Sequence, residues 1–313
     1  MPARHPTHLV LAALALLTVP PALAGSGTSP AALLPATVTT AAPTAMPSAN
    51  AALVLRLVRD GLERRDTATV RRLVAPDYRE HDPQRANGRA ALLAALCDPA
   101  TPRVRYDVIR TLVDGDLVIL HSRVTLTGTP KPLAAFDIYR VRDGQVTEHW
   151  VNRQPNADAP NPSGRTLLDG ETRVTDSALT AQNKATVKAF YTRLFLQGDL
   201  SALQTIDPDT YLQHNPGFAD GVDTIRRAFG GMAAAPAAPG HAAAPANTAA
   251  APSPQPLAVS GEGNFVLVRT VSSFGGGRSL VYDLFRLHSG RIVEHWDIVS
   301  PVPATASNSS GVF

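Results

Sequence analysis

The chain repeats itself. Displaced by 133 residues, a long stretch lines up without a gap: Asn50 falls on Asn183, Asp66 on Asp199, Tyr78 on Tyr211, His81 on His214, Pro83 on Pro216 and Gly88 on Gly221. Farther along, a displacement of 146 superimposes Phe-Asp-Ile-Tyr-Arg-Val (136–141) on Tyr-Asp-Leu-Phe-Arg-Leu (282–287). The same displacement carries Gly144 to Gly290 and Glu148-His149-Trp150 to Glu294-His295-Trp296. The chain's two tryptophans are therefore equivalent. A period this long means two folding units, each with its own core. The displacement grows by 13 residues across the Ala/Pro-rich run Met232 to Pro256, which reads as a flexible insertion.

Both units share one internal grammar. Val54, Leu57, Val58 and Leu62 stand at helical spacing, as do Val187, Phe190, Tyr191 and Phe195, so an amphipathic helix opens each unit. Asp66 and Asp199 stand where an N-cap belongs, before a short second helix ending near Val74 and Ile206. A loop carrying Tyr78 and His81, or Tyr211 and His214, leads to a third helix around Leu92–Leu96 or Ile225–Phe229. Strand patterns follow at Val104–Leu112, Leu117–Leu126, Ala134–Val141 and Gln145–Val151. Asp143-Gly144 is a type I′ hairpin signal, and Ser289-Gly290 replaces it in the second unit. Three helices followed by a bent antiparallel sheet make an α+β fold. The helices cover one face of that sheet and leave a conical cavity against it.

The remaining segments fall around the units. Arg4, His5 and His8 precede an apolar run from Leu9 to Leu17, and Ala22-Leu23-Ala24 forms a small-residue cleavage site. This pattern predicts a signal peptide over residues 1–24, hence a secreted or periplasmic protein. The run is shorter than the ~20 residues that span a bilayer, so no membrane attachment is expected after cleavage. Residues 25–47 read as a disordered tether, 48–153 as the first domain, 154–179 as a linker, 180–301 as the second domain and 302–313 as a disordered tail. The single cysteine, Cys97, rules out an internal disulfide and reads as a buried helix residue. A net charge of +3 with interspersed signs gives no nucleic-acid footprint.

Tyr211-Leu-Gln-His-Asn-Pro216 and Tyr282-Asp-Leu-Phe-Arg-Leu-His-Ser-Gly-Arg-Ile-Val-Glu-His-Trp-Asp297 resemble the SnoaL-like polyketide cyclase family of the nuclear-transport-factor-2 (NTF2-like) superfamily. The resemblance covers nearly all of both repeats and implies tandem NTF2-like cone folds. The first repeat departs from the pattern at His81-Asp82-Pro83, where His-Asn-Pro is usual, and at Val151, where Asp commonly follows the Trp. The family implies ring closure by aldol condensation without metal or organic cofactor. It also implies an Asp acid/base before the last hairpin, here Asp137 and Asp283, assisted by a His on the preceding strand. That His is His121 in the first repeat; Arg269 stands there in the second.

The residues themselves allow that chemistry. A carboxylate in an apolar pocket can take a proton from carbon beside a carbonyl, and a neighbouring His or Arg can stabilise the enolate. An Arg beside Asp283 would also depress its basicity or bind an anionic ligand without reaction. A plain two-residue loop at Asp143-Gly144 places Asp137 opposite Trp150, sharing one wall, and puts His149 and His295 on the other face; a bulge reverses this. Trp150 and Trp296 are pocket floor or core packing, His81 and His214 are ligand contacts or turn-fixing groups, and Tyr78 and Tyr211 line the same region. No metal-ligand cluster, phosphate loop or nucleophile elbow is visible, and Gly275-Gly276-Gly277 opens no helix. The expected partner is a small apolar or carbonyl-bearing molecule, bound by an enzyme or by an exported non-catalytic binder. The two repeats are expected to pack as an internal pseudo-dimer in a monomeric chain.

Overall fold

The computed structural model describes residues 48–233, 257–274 and 277–313. The predicted signal peptide and tether lie outside the described residues, as does the insertion beyond Ala233. In the first repeat, α1 (Ala49–Arg56), capped by the Ser48 hydroxyl, runs into a π-helical turn over Leu57–Glu63. Helix α2 (Thr67–Leu73) follows with Asp66 as its N-cap, accepting from the Ala68 N–H as the sequence predicts. Then come β1 (Val74–Glu80), α3 (Arg89–Cys97), β2 (Val104–Asp114), β3 (Leu117–Leu126), β4 (Leu133–Arg142) and β5 (Gln145–Pro155). The second repeat answers with α4 (Thr180–Tyr191), a π-helical turn over Thr192–Leu196 and a 3-10 turn over Leu200–Thr205 capped by Asp199. It continues through β6 (Leu212–Gln213), α5 (Val222–Ala233), β7 (Leu257–Glu262), β8 (Phe265–Phe274), β9 (Gly277–His288) and β10 (Arg291–Pro301). Among the described residues, no helix is long and apolar enough to cross a membrane.

Two five-stranded sheets result, ordered β1-β5-β4-β3-β2 and β6-β10-β9-β8-β7, so the chain is two tandem NTF2-like cones. The expectation of purely antiparallel sheets is corrected: β1 runs parallel to β5, and β6 parallel to β10. The sequence reads as loop there because Pro76 interrupts the pattern, and proline in a sheet belongs at an edge. Cys97 is also corrected, being exposed at the end of α3.

Each sheet buries one face under its own helices. Val54, Leu57, Val58 and Leu62 fill the first cone, and Val187, Phe190, Tyr191 and Phe285 the second. The other two faces pack on each other in a shared core of Phe136, Ile138, Trp150, Tyr282, Leu284 and Trp296. Asn152 stitches this seam, donating from Nδ2 to the carbonyls of Leu280 (2.9 Å) and Ile298 (2.6 Å).

The predicted linker and tail are ordered straps. Asn161 donates to the carbonyls of Gln213 (2.6 Å) and Phe218 (2.9 Å) in the second repeat. Asn308 donates to those of Asp82 (2.7 Å) and Arg85 (2.8 Å) in the first. Each strap thus fastens the loop of the opposite repeat. The sequence carries the signal as Asn-x-Ser-Gly at 161–164 and again at 308–311. In both, the Asn side chain accepts from the Ser N–H and the Gly takes a positive φ, +81° and +73°.

Candidate active site

The site begins with the β4–β5 hairpin. Asp143 and Gly144 both have positive φ, as a type I′ turn requires, and Arg142 pairs with Gln145. Two residues further, a bulge at Thr147 shifts the register, so that Arg140 faces Glu148, Tyr139 faces His149 and Asp137 faces Val151. The second repeat bulges at Val293 and places Phe285 opposite His295 and Asp283 opposite Asp297. One extra residue exchanges the two faces of a strand. The expectation that Asp137 shares a wall with Trp150 is therefore corrected: Trp150 turns into the seam between the sheets, and His149 turns to the cavity.

His149 is the centre of the arrangement. Its Nε2 lies 3.0 Å from Asp137 Oδ1, and its Nδ1 lies 2.9 Å from Glu80 Oε1. Glu80 is in turn bonded by the Tyr78 hydroxyl (2.8 Å) and the Asp82 N–H (2.9 Å). The parallel pairing of Glu80 with His149 is what delivers β1's carboxylate here. Burial opposes charge on the imidazole, but Glu80 and Asp137 outweigh it and raise the His149 pKa to about 9. Burial likewise pushes Glu80 up, while the His149 charge and its hydrogen bond hold it down at about 2. At neutral pH, His149 is thus an imidazolium donating to both carboxylates.

Asp137 keeps one oxygen in reserve. Its Oδ2 is buried and has no hydrogen-bond partner among the described residues, and the Tyr139 hydroxyl is in the same condition. Both residues border a void of about 20 Å³, room for about one water, with Tyr106, Tyr78 and Arg153 on its other walls. An open cleft of about 860 Å³ shares several of those walls. Leu62, Leu92, Val104 and Leu133 give it apolar wall beside the charged Glu80, Asp82, Arg85 and Arg153, while Val302 and Val312 of the second repeat's strand end and tail contribute to its rim. Burial, with Asp137 nearby, raises the pKa of Tyr106 and of Tyr139, so both phenols stay protonated.

The second repeat builds the same scaffold with different chemistry. His295 Nε2 lies 3.0 Å from Asp283 Oδ1, but its Nδ1 meets Gln213 Oε1 (3.0 Å) where the first repeat has Glu80. Burial opposes charge on His295 and the Asp283 carboxylate raises its pKa. The Tyr211 hydroxyl accepts from Gln213, and Asp297 Oδ2 from Asn215. Burial, with Asp283 nearby, raises the Asp297 pKa.

The other expected site residues lie elsewhere. β3 pairs Leu120 with Asp137, so His121 points to the opposite face, 4.3 Å over Phe136 and 2.9 Å from Arg110. There, burial and the Arg110 charge push its pKa well down. β8 likewise pairs Val268 with Asp283, so Arg269 lies over the Trp150 ring (4.8 Å) in the seam. His81 and His214 stack on Trp150 and Trp296, each at 4.6 Å, and bond Glu148 and Glu294. Of the residues singled out from sequence, Asp137, Asp283, Tyr78 and Tyr211 face the cone interiors; His121, Arg269, His81, His214, Trp150 and Trp296 line the seam. The residues the sequence reading missed are Glu80, Gln213, His149 and His295. Their signal was present in the repeated Glu-His-Trp and in Tyr-x-Glu/Gln-His, obscured by the bulge.

Part of the chain is similar to known proteins. The SnoaL-like domain family matches residues 54–149. No curated protein matches the chain. Among solved structures, a candidate polyketide cyclase of Sinorhizobium meliloti is 20% identical, covering 32% of this chain and 93% of its own, with a TM-score of 0.30. A candidate ketosteroid isomerase of Kribbella flavida is 25% identical over 40% of this chain and 91% of its own (TM-score 0.29). An epoxide hydrolase of M. tuberculosis, of the LEH-like type, is 18% identical over 34% and 84% (TM-score 0.31). Residues 54–149 match the SnoaL-like domain family, and the second repeat follows the same order of helices and sheet.

Proposed function

We propose that the first repeat is a cofactor-free acid/base catalyst acting on a small carbonyl-bearing or polycyclic molecule, of the aldol-cyclase or isomerase kind. The observation that carries this reading is the unpartnered Oδ2 of Asp137, buried beside a void while His149 holds the other oxygen. A carboxylate so placed can take a proton from carbon beside a carbonyl. The protonated phenols of Tyr106 and Tyr139 are suited to donate to the enolate oxygen that forms. Glu80 keeps His149 charged and oriented, and so acts through it as a positioning residue. The residues Ala22-Leu23-Ala24 and the apolar run before them support export of the protein.

One observation favours a second reading. The void at Asp137 holds about one water, so a ligand in the larger cleft can bind without reaching the carboxylate. That would be an exported binding protein without chemistry. A thermal-shift screen of aromatic carbonyl compounds on the full chain, repeated with Asp137→Asn, separates the two. The enzyme reading expects a stabilising compound that the wild type converts and the variant binds but leaves unchanged. Equal binding with no conversion by either protein would establish the binder.

A further inference from the structure

The two cones differ most in what fills them. Where the first repeat has Leu57, Val58 and Leu62, the second has Phe190, Tyr191 and Phe195. These rings pack together: Tyr191 stacks on Phe195 at 4.4 Å, and Phe190 meets Phe285 edge-on at 5.7 Å. Tyr191 also donates its hydroxyl to Asp283 Oδ2 at 3.0 Å. That oxygen is the counterpart of the Asp137 Oδ2 that stands without a partner in the first cone. Val58 cannot make the contact, having no donor.

We propose that the second pocket is occupied by the chain itself, with Tyr191 as a built-in ligand of Asp283, so that the protein has one functional pocket and uses its second repeat as a scaffold. A phenol on the free carboxylate oxygen, under a lid of aromatic rings, satisfies the buried acceptor that a substrate would otherwise meet. The second repeat still serves the first, because its Val302 and Val312 contribute to the rim of the open cleft. Counting sites with a ligand rests on the first cone being a ligand pocket; the occupancy of the second does not.

2-Naphthol is a suitable probe, since it is a flat aromatic hydroxyl like the one Tyr191 presents. Titrated into the full chain, it is expected to bind one equivalent. The double variant Tyr191→Val with Phe195→Leu is expected to bind two, and Val58→Tyr, which installs the plug in the first cone, none. Two equivalents on the wild type, or one retained by Val58→Tyr, would overturn the inference. Thermal melts judge the second cone without any ligand. Tyr191→Phe strips Asp283 Oδ2 of its donor and is expected to lower Tm by about 3 °C or more. An unchanged Tm for that variant would sink the proposal. If 2-naphthol binds no form of the protein while Tyr191→Phe still melts early, the first cone loses its role as a pocket for such ligands and the self-occupied second cone stands.

Discussion

Glu80 and Gln213 occupy the same place in the two repeats, each against Nδ1 of the histidine that bonds the buried aspartate of its cone, at 2.9 and 3.0 Å. A carboxylate there makes a charged relay of Asp137, His149 and Glu80; an amide makes a weaker one with Asp283 and His295. The difference has a pH signature. The His149 pKa is raised from 6.5 to about 9, so its contribution is complete below pH 6.5 and is lost as pH rises through about 9. The Glu80 pKa is lowered from 4.5 to about 2, so its contribution is complete above pH 4.5 and is lost as pH falls toward 2. Both describe one interaction, at full strength between about pH 4.5 and 6.5. Glu80→Gln should therefore cost on the order of 3 kcal/mol near pH 5.5 and much less at pH 9 to 10. Urea unfolding across that range checks it, and a cost independent of pH would refute the relay.

The tryptophans carry the association of the sheets. Trp296 is fully buried in the seam, its Nε1 donates to the Asp169 carbonyl (2.9 Å), and the Arg110 guanidinium lies 4.2 Å over its ring. Trp296→Ala is expected to destabilise the chain by about 3–5 kcal/mol through loss of that packing. A ligand in the first cone should bind the folded variant as it binds the wild type. Denaturant titration with a binding isotherm measures both, and loss of binding from the folded protein would place the tryptophan at the pocket after all.

What the sequence could reveal followed from periodicity. Repeat spacing located both cones, the apolar helical stripe placed α1 and α4, and Asp143-Gly144 and Ser289-Gly290 marked their hairpins. What it concealed was parity. A bulge at Thr147 leaves no compositional trace, yet it alone decides whether His149 or Trp150 faces the cavity. His121 fell to the same logic, since its partner across β4 is Phe136 rather than Asp137. Strand β1 was hidden by Pro76, and with it the route by which Glu80 reaches His149. The straps were misread because polar, Pro- and Gly-rich chain usually marks a linker, whereas here Asn161 and Asn308 tie it down with side-chain hydrogen bonds.

Those straps should be felt at a distance. Asn308 holds the Asp82–Arg85 loop at the mouth of the open cleft through two carbonyls. Asn308→Ala is expected to cost about 1–2 kcal/mol and to speed amide exchange in that loop of the first repeat. Asn161→Ala should do the same for the Gln213–Phe218 segment of the second. Hydrogen-exchange mass spectrometry distinguishes this from independent domains, in which each substitution would loosen its own repeat.

The seam also leads to an expectation for the state of association. The sheet faces that meet across Phe136, Trp150, Tyr282 and Trp296 are satisfied within one chain, and Asn152 bonds them across the join. Covalent linkage of the two repeats holds them at high effective concentration, so a second chain competes for either face at a disadvantage. The straps add to this, because each is fastened to the opposite repeat and must detach before the cones can exchange partners. Sedimentation equilibrium of the full chain is expected to return the mass of a single copy across the micromolar range. A stable dimer would mean that a surface other than this seam joins two chains, or that repeats swap between them. The double variant Asn161→Ala with Asn308→Ala decides between these, since only swapping is promoted by loosening the straps.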